Sequence, residues 1–376
     1  MSTSGPVSGP TSAPTSGPGD AADVLERLWA IVPAGGAGTR LWPLSRSSSP
    51  KFLHDLTGQG RTLIQATIDR LAPVVSDRVV VVTGRAHEQA VRAQLPGVER
   101  VLAEPSPRDS MAAIGLAAAI LERDVPDALV ASFAADHVIS GPEQFLAAVR
   151  EAAAVADQGW LVTIGIEPTH PATGFGYVRA GEALDGFPTA RAVREFVEKP
   201  DAERARAYLA AGDYRWNGGM FVARATVLLD LLAVQHPDLA EGLREIAADP
   251  SSLEERWPGL TKIAIDHAVA EPAAAVGRVA TVPGAFAWED IGDFAALAGQ
   301  GPGEGLHVLG DADLVVGLDA TGIVVPAGGR TVAVVGLEGV VVVDTGDALL
   351  VTTLDRAQDV KSVVDVLKST GRSELT

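Results

Sequence analysis

Short apolar runs rich in β-branched residues alternate with longer amphipathic stretches across the first half of the chain, and this alternation constrains the fold more than any other feature. Strands that are apolar along their whole length and separated by helices indicate a mostly parallel sheet with helices on both faces. The sequence therefore predicts an α/β fold, with ligands bound in the loops that follow the carboxyl ends of strands. The predicted strands are 28–34, 78–84, 99–104 and 127–137, and the predicted helices are 62–74, 86–94, 110–122 and 142–156.

Changes in composition and in hydrophobic pattern divide the chain into three parts. Residues 1–26 open with a run of Gly, Pro, Ser and Thr and are predicted to be a disordered tail, because such a composition cannot offset the entropy lost on ordering. Residues 27–300 carry the α/β pattern, which predicts a Rossmann-like, mostly parallel mixed sheet flanked by helices. Residues 301–376 are dense in Val, Gly and Asp, which predicts a small β domain closed by an amphipathic helix at 357–369. The Gly- and Pro-bearing segment 299–305 marks the boundary.

Composition excludes several classes of function. The chain has no cysteine, which removes disulfides, thiolate catalysis and cysteine-ligated metal sites. Its formal net charge of −18 disfavours nucleic acid and anionic membrane as partners, although a local cationic pocket can still attract a small anion. No apolar run is long enough to cross a bilayer, and the first residues lack the features of a secretory signal. A cytoplasmic location is therefore predicted.

A glycine cluster follows the first strand within segment 29–51, which contains three cationic residues and no carboxylate. Two nucleotide-binding patterns fail here on specific residues. A P-loop requires a lysine where the chain offers Arg40, and a dinucleotide fingerprint requires a third glycine where the chain has Leu41. The glycines still allow backbone amides to approach an anion, while Arg40 and Lys51 can neutralise phosphate oxygens. The alternative is a tight turn with solvated cations.

The complete segment 29–51 resembles a signature of the sugar-1-phosphate nucleotidyltransferases. This signature reads G-G-x-G-x-R-L-x-P-L, with P-K further on. GTRLWPLSR is most similar to the mannose-1-phosphate guanylyltransferase branch, although PKFL stands where many bacterial members have P-K-Q-F-L. The resemblance implies that 27–300 is the catalytic domain, that the C-terminal domain is β-helix-like, and that the loop wraps a nucleoside triphosphate. The loop residues it implies as nucleotide contacts are Gly35, Gly36, Gly38, Thr39, Arg40 and Lys51.

Segment 102–115 supplies a candidate reader of the nucleotide base. A carboxylate such as that of Glu104, or a backbone carbonyl, can accept hydrogen bonds from the adjacent N1–H and amino group of guanine, which favours guanine over adenine. The segment resembles the guanylyltransferase motif E-P-x-x-R-N-T-A-P-A-I, with Asp109 in place of Asn. Ser110 could instead cap the following helix, and the two roles are compatible. The resemblance implies base contacts from Glu104, Pro105, Arg108 and Ser110.

Two aspartates far apart in the sequence are candidate metal ligands. Asp136 lies at the end of a predicted strand and Asp290 lies in WEDIGD, and both match carboxylate positions of the family. The resemblance implies that they hold Mg²⁺, which keeps waters and substrate oxygens among its ligands and so needs few protein groups. Each aspartate taken alone is equally compatible with a structural turn.

Three further segments resemble the family elements G-Y-G, V-E-K-P and N-[SG]-G-x-F, here TGFGYVRA, REFVEKP and RWNGGMFV. The resemblance implies that they hold a sugar phosphate. A glycine allows close backbone approach, a carboxylate and an amide can bond sugar hydroxyls, and a lysine can pair with the phosphate. The implied sugar-phosphate residues are Gly176, Glu198, Lys199 and Asn217.

The resemblance implies that GTP and mannose 1-phosphate react to give GDP-mannose and pyrophosphate by in-line displacement. Because the substrate brings its own nucleophilic oxygen, catalysis would rest on positioning and charge stabilisation. Two alternatives remain for the function: a uridylyl-, thymidylyl- or adenylyltransferase acting on glucose 1-phosphate, and a non-catalytic regulatory paralogue that binds nucleotide-sugar. The C-terminal β domain could form a homodimer or pack only on its own chain. The predicted catalytic residues are Arg40, Lys51, Asp136, Lys199 and Asp290.

Overall fold

The predicted strands of the first half form the parallel part of a nine-stranded mixed sheet. In the computed structural model, which describes residues 21–36, 38–301 and 303–376, these are β1 (Leu28–Ala34), β2 (Val79–Gly84), β3 (Arg100–Glu104) and β4 (Leu129–Ser132). They pair in parallel in the order β3-β2-β1-β4. Their carboxyl ends therefore meet at one edge of the sheet, as the sequence predicted.

The remaining strands extend this sheet and add a short ribbon beside it. They are β5 (Val138–Ser140), β6 (Leu161–Ile166), β7 (Tyr177–Ala183), β8 (Arg191–Val197), β9 (Tyr214–Arg224), β10 (Val279–Gly284) and β11 (Ala287–Glu289). The sheet continues from β4 in the order β9-β6-β10-β8-β7, and β9 runs antiparallel to both β4 and β6. The ribbon consists of β5 and β11, which pair antiparallel with Glu289 opposite Val138.

The strand predicted at 127–137 is shorter than expected. Regular strand ends at Ser132, although the N–H groups of Phe133 and Ala135 still donate to the carbonyls of Ile31 and Pro33 at 2.9 and 3.1 Å. The chain then turns, and β5 leaves the main sheet to pair with β11. The turn places Asp136 at the edge of the sheet instead of within a strand.

Helices cover both faces of the sheet and bury its apolar side chains. One face packs under α2 (Leu63–Val75) and α5 (Pro142–Ala156) through residues such as Leu71 and Phe145. The other packs under α4 (Asp109–Asp124), α7 (Ala225–Gln235) and α8 (Pro237–Ala248) through residues such as Leu116 and Leu243. The four predicted helices are confirmed, with ends within a few residues of those expected. The helices are α1 (Ala21–Glu26), α2 (Leu63–Val75), α3 (Glu88–Gln94), α4 (Asp109–Asp124), α5 (Pro142–Ala156), α6 (Ala202–Ala211), α7 (Ala225–Gln235), α8 (Pro237–Ala248), α9 (Leu253–Arg256), α10 (Glu271–Ala275), α11 (Phe294–Ala298) and α12 (Val360–Ser369).

The N-terminal tail prediction is wrong at its end. Residues 1–20 lie outside the described residues, whereas 21–26 form helix α1. Val24 is buried in the main core, and Arg27 just after the helix pairs with Asp23 at 3.1 Å and with Asp157 at 3.0 Å. This apolar contact and these ion pairs order a segment that composition assigned to the tail.

The C-terminal part forms a small coil whose strands pair in parallel, except for the last strand, which is antiparallel to its neighbour. Its strands are β12 (Leu306–Val308), β13 (Val315–Leu318), β14 (Gly322–Pro326), β15 (Val332–Val335), β16 (Val340–Asp344) and β17 (Leu349–Thr353). Alternate strands belong to different sheets: β12, β14 and β16 pair in parallel in one, and β13 pairs in parallel with β15 in the other. This alternation is the pattern of a β-helix-like coil, and α12 closes it as predicted.

The C-terminal coil packs directly on the glycine loop. One buried apolar cluster joins Leu41 and Trp42 of the loop with Phe294 of α11, Val341 of the coil and Val364 of α12. The two parts of the chain therefore share a core. In the described part of the chain, no helix has the length and apolar character needed to cross a membrane.

Candidate active site

Two neighbouring cavities open at the carboxyl edge of the sheet. The first, the strand-end cavity, has a volume of about 320 Å³ and lies beyond β1, β2, β3 and β4. The second, the β9 cavity, has about 150 Å³ and lies against Asn217, Gly218 and Gly219 of β9. The predicted site residues that line the strand-end cavity are Gly35, Gly36, Glu104, Ser110 and Asp136. Those that line the β9 cavity are Gly176, Glu198, Asn217 and Asp290.

The register of the β5–β11 ribbon brings the two predicted aspartates together. Asp136 lies two residues before Val138, and Asp290 directly follows Glu289, the partner of Val138. Residues separated by more than half of the catalytic domain thus meet where the two cavities adjoin. Sequence spacing alone could not show this pairing.

Lys51 ties the two aspartate segments to the glycine loop. Its ammonium nitrogen lies 2.9 Å from Oδ2 of Asp136 and donates to the carbonyl oxygen of Asp290 at 2.6 Å. The Lys51 side chain is only 13% exposed, so its charge is held in place between these oxygens. A fixed, largely buried cation at the junction of two cavities is suited to hold a phosphate.

The glycine loop is shaped by its contact with Lys51. Gly38 has φ +54°, and a Cβ at this position would lie 2.7 Å from Oγ of Ser45 and 3.3 Å from Cβ of Lys51. The position therefore needs glycine for both its conformation and the close approach. Thr39 begins the short 3₁₀ turn Thr39–Leu41 that follows the loop.

The other two cations of the loop contact the C-terminal part. Arg40 Nη1 donates to Oε1 of Gln358 at 2.9 Å, and Arg46 forms two hydrogen bonds of 2.7 and 2.6 Å to the carboxylate of Asp347. Arg40 does remain near the aspartates. A Cβ on Gly292 would lie 3.3 Å from Oδ1 of Asp290 and 3.7 Å from Nη1 of Arg40. Arg46 therefore fastens the loop to the coil, and Arg40 lies between the coil and the site.

Glu104 projects from the end of β3 into the strand-end cavity, and the pKa of its carboxyl is raised there. Burial raises the pKa of its carboxyl to about 7, the charge of Asp109 adds to this effect, and the backbone N–H of Arg108 opposes it. A carboxylate that titrates near neutral pH in a cavity is characteristic of binding sites. Ser110, in the first turn of α4, accepts a hydrogen bond from the N–H of Ile265 at 3.0 Å.

Two of the predicted base contacts lie beside the cavity instead of lining it. Pro107 occupies the wall where Pro105 was expected. Arg108 turns away and donates to the carbonyl of Pro258, so its guanidinium supports the loop before α4. Asp109, the departure from the family motif, has φ +66° and accepts the N–H of Ser110 at 2.8 Å.

Glu198 and Lys199 form an ion pair at the mouth of the β9 cavity. Their charged atoms are 2.9 Å apart, with the Glu198 side chain 7% exposed and that of Lys199 62% exposed. The hydrogen bond to Glu198 raises the pKa of Lys199, which keeps it cationic. Gly176 makes room for this carboxylate, because a Cβ there would lie 2.5 Å from Oε2 of Glu198.

Asn217 supports the floor of the β9 cavity. Its Oδ1 accepts from the hydroxyl of Thr163 at 2.7 Å, and its Nδ2 donates to Oδ1 of Asp266 at 2.7 Å. The structure thus gives Asn217 a bridging place in a buried polar network as well as a place at the cavity wall.

Asp266 is a site residue that the sequence analysis missed. It lines the β9 cavity, and burial followed by the charge of Glu198 raises its pKa to about 6. It opens a π-helical turn, Asp266–Ala270, an irregularity that is frequent at functional sites. The available signal was a carboxylate between two short apolar runs, 263–265 before it and 268–270 after His267.

The oxygen donors at the cavity junction fit a divalent ion with few protein ligands. Asp136 and Asp290 supply carboxylates, and the ammonium of Lys51 already lies among their oxygens. Within residues 21–36, 38–301 and 303–376 there is no group of three or more His, Cys, Asp or Glu side chains arranged to hold a metal ion. These two carboxylates are hard oxygen donors of the kind that divalent metal ions bind, with water and substrate oxygens completing the shell.

Comparison with known proteins matches both parts of the chain. A family model described as nucleotidyl transferase matches residues 29–300, and one described as MannoseP isomerase/GMP-like beta-helix domain matches residues 313–367. The xanthan biosynthesis protein XanB of Xanthomonas campestris pv. campestris is 41% identical over 359 residues, which cover 92% of this chain and 74% of that protein. Mannose-1-phosphate guanylyltransferase of Escherichia coli K12 is 38% identical over 365 residues, which cover 93% of this chain and 75% of that enzyme.

One solved structure has the same fold as this chain over nearly its whole length. A Thermus thermophilus protein described as mannose-1-phosphate geranyltransferase superposes with a TM-score of 0.82 at 35% identity, covering 91% of this chain and 99% of that one. The resemblance predicted from the motifs is therefore confirmed. The chain belongs to the nucleotidyl transferase family and carries a C-terminal β-helix-like domain.

Proposed function

We propose that this chain is a mannose-1-phosphate guanylyltransferase that converts GTP and mannose 1-phosphate to GDP-mannose and pyrophosphate. The single observation that carries the proposal is the contact of Lys51 with Asp136 and Asp290 where two cavities adjoin. Relatives named mannose-1-phosphate guanylyltransferase, at 38% identity over most of the chain, support the choice of sugar and base.

In this proposal each cavity takes one substrate. The guanine lies in the strand-end cavity, where the ionised carboxylate of Glu104 accepts its N1–H and amino N–H. The hexose lies in the β9 cavity against the carboxylates of Glu198 and Asp266, which accept hydrogen bonds from its hydroxyls. The phosphates of the two substrates then face each other at Lys51.

The chemistry needs charge compensation more than a nucleophilic side chain. The phosphate oxygen of the sugar attacks the α-phosphorus of GTP, and the bond from that phosphorus to the β-phosphate oxygen breaks to release pyrophosphate. Lys51 and Lys199 hold the two anions in line, and Arg40 faces the departing pyrophosphate. Each of these cations is held in place by a carboxylate or an amide of the chain itself.

Enzymes of this family generally need a divalent metal ion. We propose Mg²⁺ held by Asp136 and Asp290, because both supply hard oxygen ligands at the cavity junction. The ion would polarise phosphate oxygens and reduce the repulsion between the two substrates.

The proposed function is tested by pyrophosphate release from purified protein with Mg²⁺. GTP, ATP, UTP and dTTP are each paired with mannose 1-phosphate and with glucose 1-phosphate. We expect the highest kcat/KM for GTP with mannose 1-phosphate. A preference for UTP, dTTP or ATP with glucose 1-phosphate would identify the chain as one of the alternative transferases. Nucleotide-sugar binding without turnover in any combination would identify a regulatory paralogue.

Guanine recognition should depend on pH through Glu104. Because its pKa is raised to about 7, the carboxyl becomes protonated as the pH falls below 7 and can no longer accept two N–H groups. We expect KM for GTP to rise below pH 7, approaching about tenfold per pH unit, with normal values above pH 7.5. Steady-state kinetics from pH 5.5 to 8.5 measure this.

Matched variants separate this effect from titration of the nucleotide itself. Glu104→Gln should give a raised KM that no longer changes with pH, whereas the exposed Glu99→Gln should follow the wild-type curve. An unchanged pH profile in Glu104→Gln would show that another group is responsible.

A homodimer through the C-terminal coil is the second part of the proposal. Most of the exposed large apolar side chains in the described part of the chain lie on this coil and on α12, and the pair Leu318 and Val335 faces outward across β13 and β15. A second copy that presents the same surface about a twofold axis would cover it. The exposed apolar residues of the coil and α12 that form this surface are Val316, Leu318, Val335, Leu337, Leu349, Val351, Val363 and Val366.

The expected oligomer is a dimer of the 38.8 kDa chain, measured by light scattering coupled to size exclusion. Val335→Asp should yield a monomer with an unchanged far-ultraviolet circular dichroism spectrum, and Val276→Asp, an exposed position of the catalytic domain, should remain dimeric. A wild-type monomer at micromolar concentration contradicts this part of the proposal.

A further inference from the structure

The C-terminal part contacts the glycine loop next to the site through the side chain of Gln358. Gln358, in the 3₁₀ turn Leu354–Asp359 before α12, accepts a hydrogen bond from Nη1 of Arg40 at 2.9 Å. Its Nε2 donates to Oδ2 of Asp293, three residues after Asp290. One amide therefore connects the glycine loop with the segment that carries a proposed metal ligand.

An amide side chain suits this bridge, because it carries both a donor and an acceptor. Arginine offers only donors and an ionised aspartate offers only acceptors, so the bridging residue must accept on one side and donate on the other. A glutamate at position 358 would face Asp293 with like charge, and a lysine would face Arg40 with like charge. The chemistry of the two neighbours therefore favours an amide at position 358.

The bridge is held rigidly at both ends. Asp293 is 8% exposed, and its Oδ1 accepts the N–H groups of Ala295 and Ala296 at 2.8 and 3.0 Å, which caps α11. The residues next to the bridge, Leu41 beside Arg40 and Ala357 beside Gln358, are buried in the same apolar cluster. Gln358 itself is exposed, and its hydrogen bonds to Arg40 and Asp293 are the contacts that hold its side chain between them.

We propose that Gln358 is a positioning residue for Arg40, so that the C-terminal coil preorganises the nucleotide site. The bond to Gln358 uses one of the five N–H donors of the guanidinium and leaves the others for phosphate oxygens. Because Arg40 is ordered before the nucleotide arrives, binding does not have to supply the rotamer entropy of that long side chain. This inference rests on the proposed function, since it assigns the triphosphate as the ligand of Arg40.

The test is a double-mutant cycle between Gln358 and Arg40. Gln358→Met keeps the length of the side chain and removes both hydrogen bonds, and we expect it to raise KM and Kd for GTP about tenfold with little change in the KM for mannose 1-phosphate. In an Arg40→Ala background the same substitution should have no further effect. Kd is measured by isothermal titration calorimetry with Mg²⁺·GTP, and KM by pyrophosphate release.

Controls separate positioning from stability. Lys361→Met changes an exposed position of α12 and should leave both constants unchanged. Arg46→Ala removes the ion pair with Asp347, so it should lower the melting temperature without changing Kd for GTP. If Gln358→Met does not fold, Gln358→Asn, which is too short to span both partners, is expected to show the same coupling.

The outcomes distinguish this inference from the proposed function. Equal effects of Gln358→Met in the wild-type and Arg40→Ala backgrounds would overturn the inference while leaving the proposed function intact. A wild-type protein that neither binds nor turns over any nucleoside triphosphate would overturn the proposed function, and the inference with it.

Discussion

Asp136→Asn should lower kcat/KM for both substrates roughly 100-fold. One preorganised electrostatic contact at a reacting phosphate stabilises the transition state by about 3 kcal/mol, and the substitution removes such a contact. The substitution keeps the shape of the side chain and removes the charge that pairs with Lys51 at 2.9 Å. It should also weaken the proposed metal site, so raising Mg²⁺ should restore part of the rate. Pyrophosphate release measured over a range of Mg²⁺ concentrations tests both effects.

A matched control lies at the opposite end of β4. Asp127 is exposed near the amino end of β4, and Asp127→Asn should retain wild-type turnover and Mg²⁺ dependence. Wild-type turnover in Asp136→Asn would remove its carboxylate from the mechanism.

Gly176→Ala should produce the second large effect, confined to the sugar substrate. The added Cβ would lie 2.5 Å from Oε2 of Glu198 and 3.3 Å from Cβ of Asn217, so the buried carboxylate must move. Misplacing a positioning group by about 1 Å can cost about 100-fold in rate, and we expect a loss of that order in kcat/KM for mannose 1-phosphate. KM for GTP should be nearly unchanged, because the strand-end cavity is not touched.

Gly97→Ala is the control for this substitution. A Cβ at Gly97 has no atom within 4 Å, so neither substrate should be affected. An equal loss for both substrates in Gly176→Ala, accompanied by a lower melting temperature, would show that the residue serves folding and not sugar binding.

The sequence predicted the parallel half of the sheet because local pattern determines it. Runs such as VVVV within RVVVVTG are apolar at every position and are typical of buried strands, and the helices between them have a clear amphipathic period. Loops that follow parallel strands must lie at one edge of the sheet, and this rule alone brings Gly35, Glu104 and Asp136 to the same region.

The features of the site that the sequence did not predict depend on contacts between distant parts of the chain. The meeting of Asp136 and Asp290 depends on one ribbon register, Glu289 opposite Val138. The loop arginines pair with Asp347 and Gln358, which lie 301 and 318 positions further along the chain. Asp266 was missed because its role comes from burial, which an isolated carboxylate in a sequence does not reveal.

The most direct measurement of the central claim is a crystal structure of the protein with GDP-mannose and Mg²⁺. We expect the guanine to lie in the strand-end cavity on Glu104 and the mannose in the β9 cavity on Glu198 and Asp266. We expect the diphosphate and the ion to lie between Lys51, Asp136 and Asp290. A nucleotide-sugar bound elsewhere, or a diphosphate that neither Lys51 nor the two aspartates approach, would contradict it.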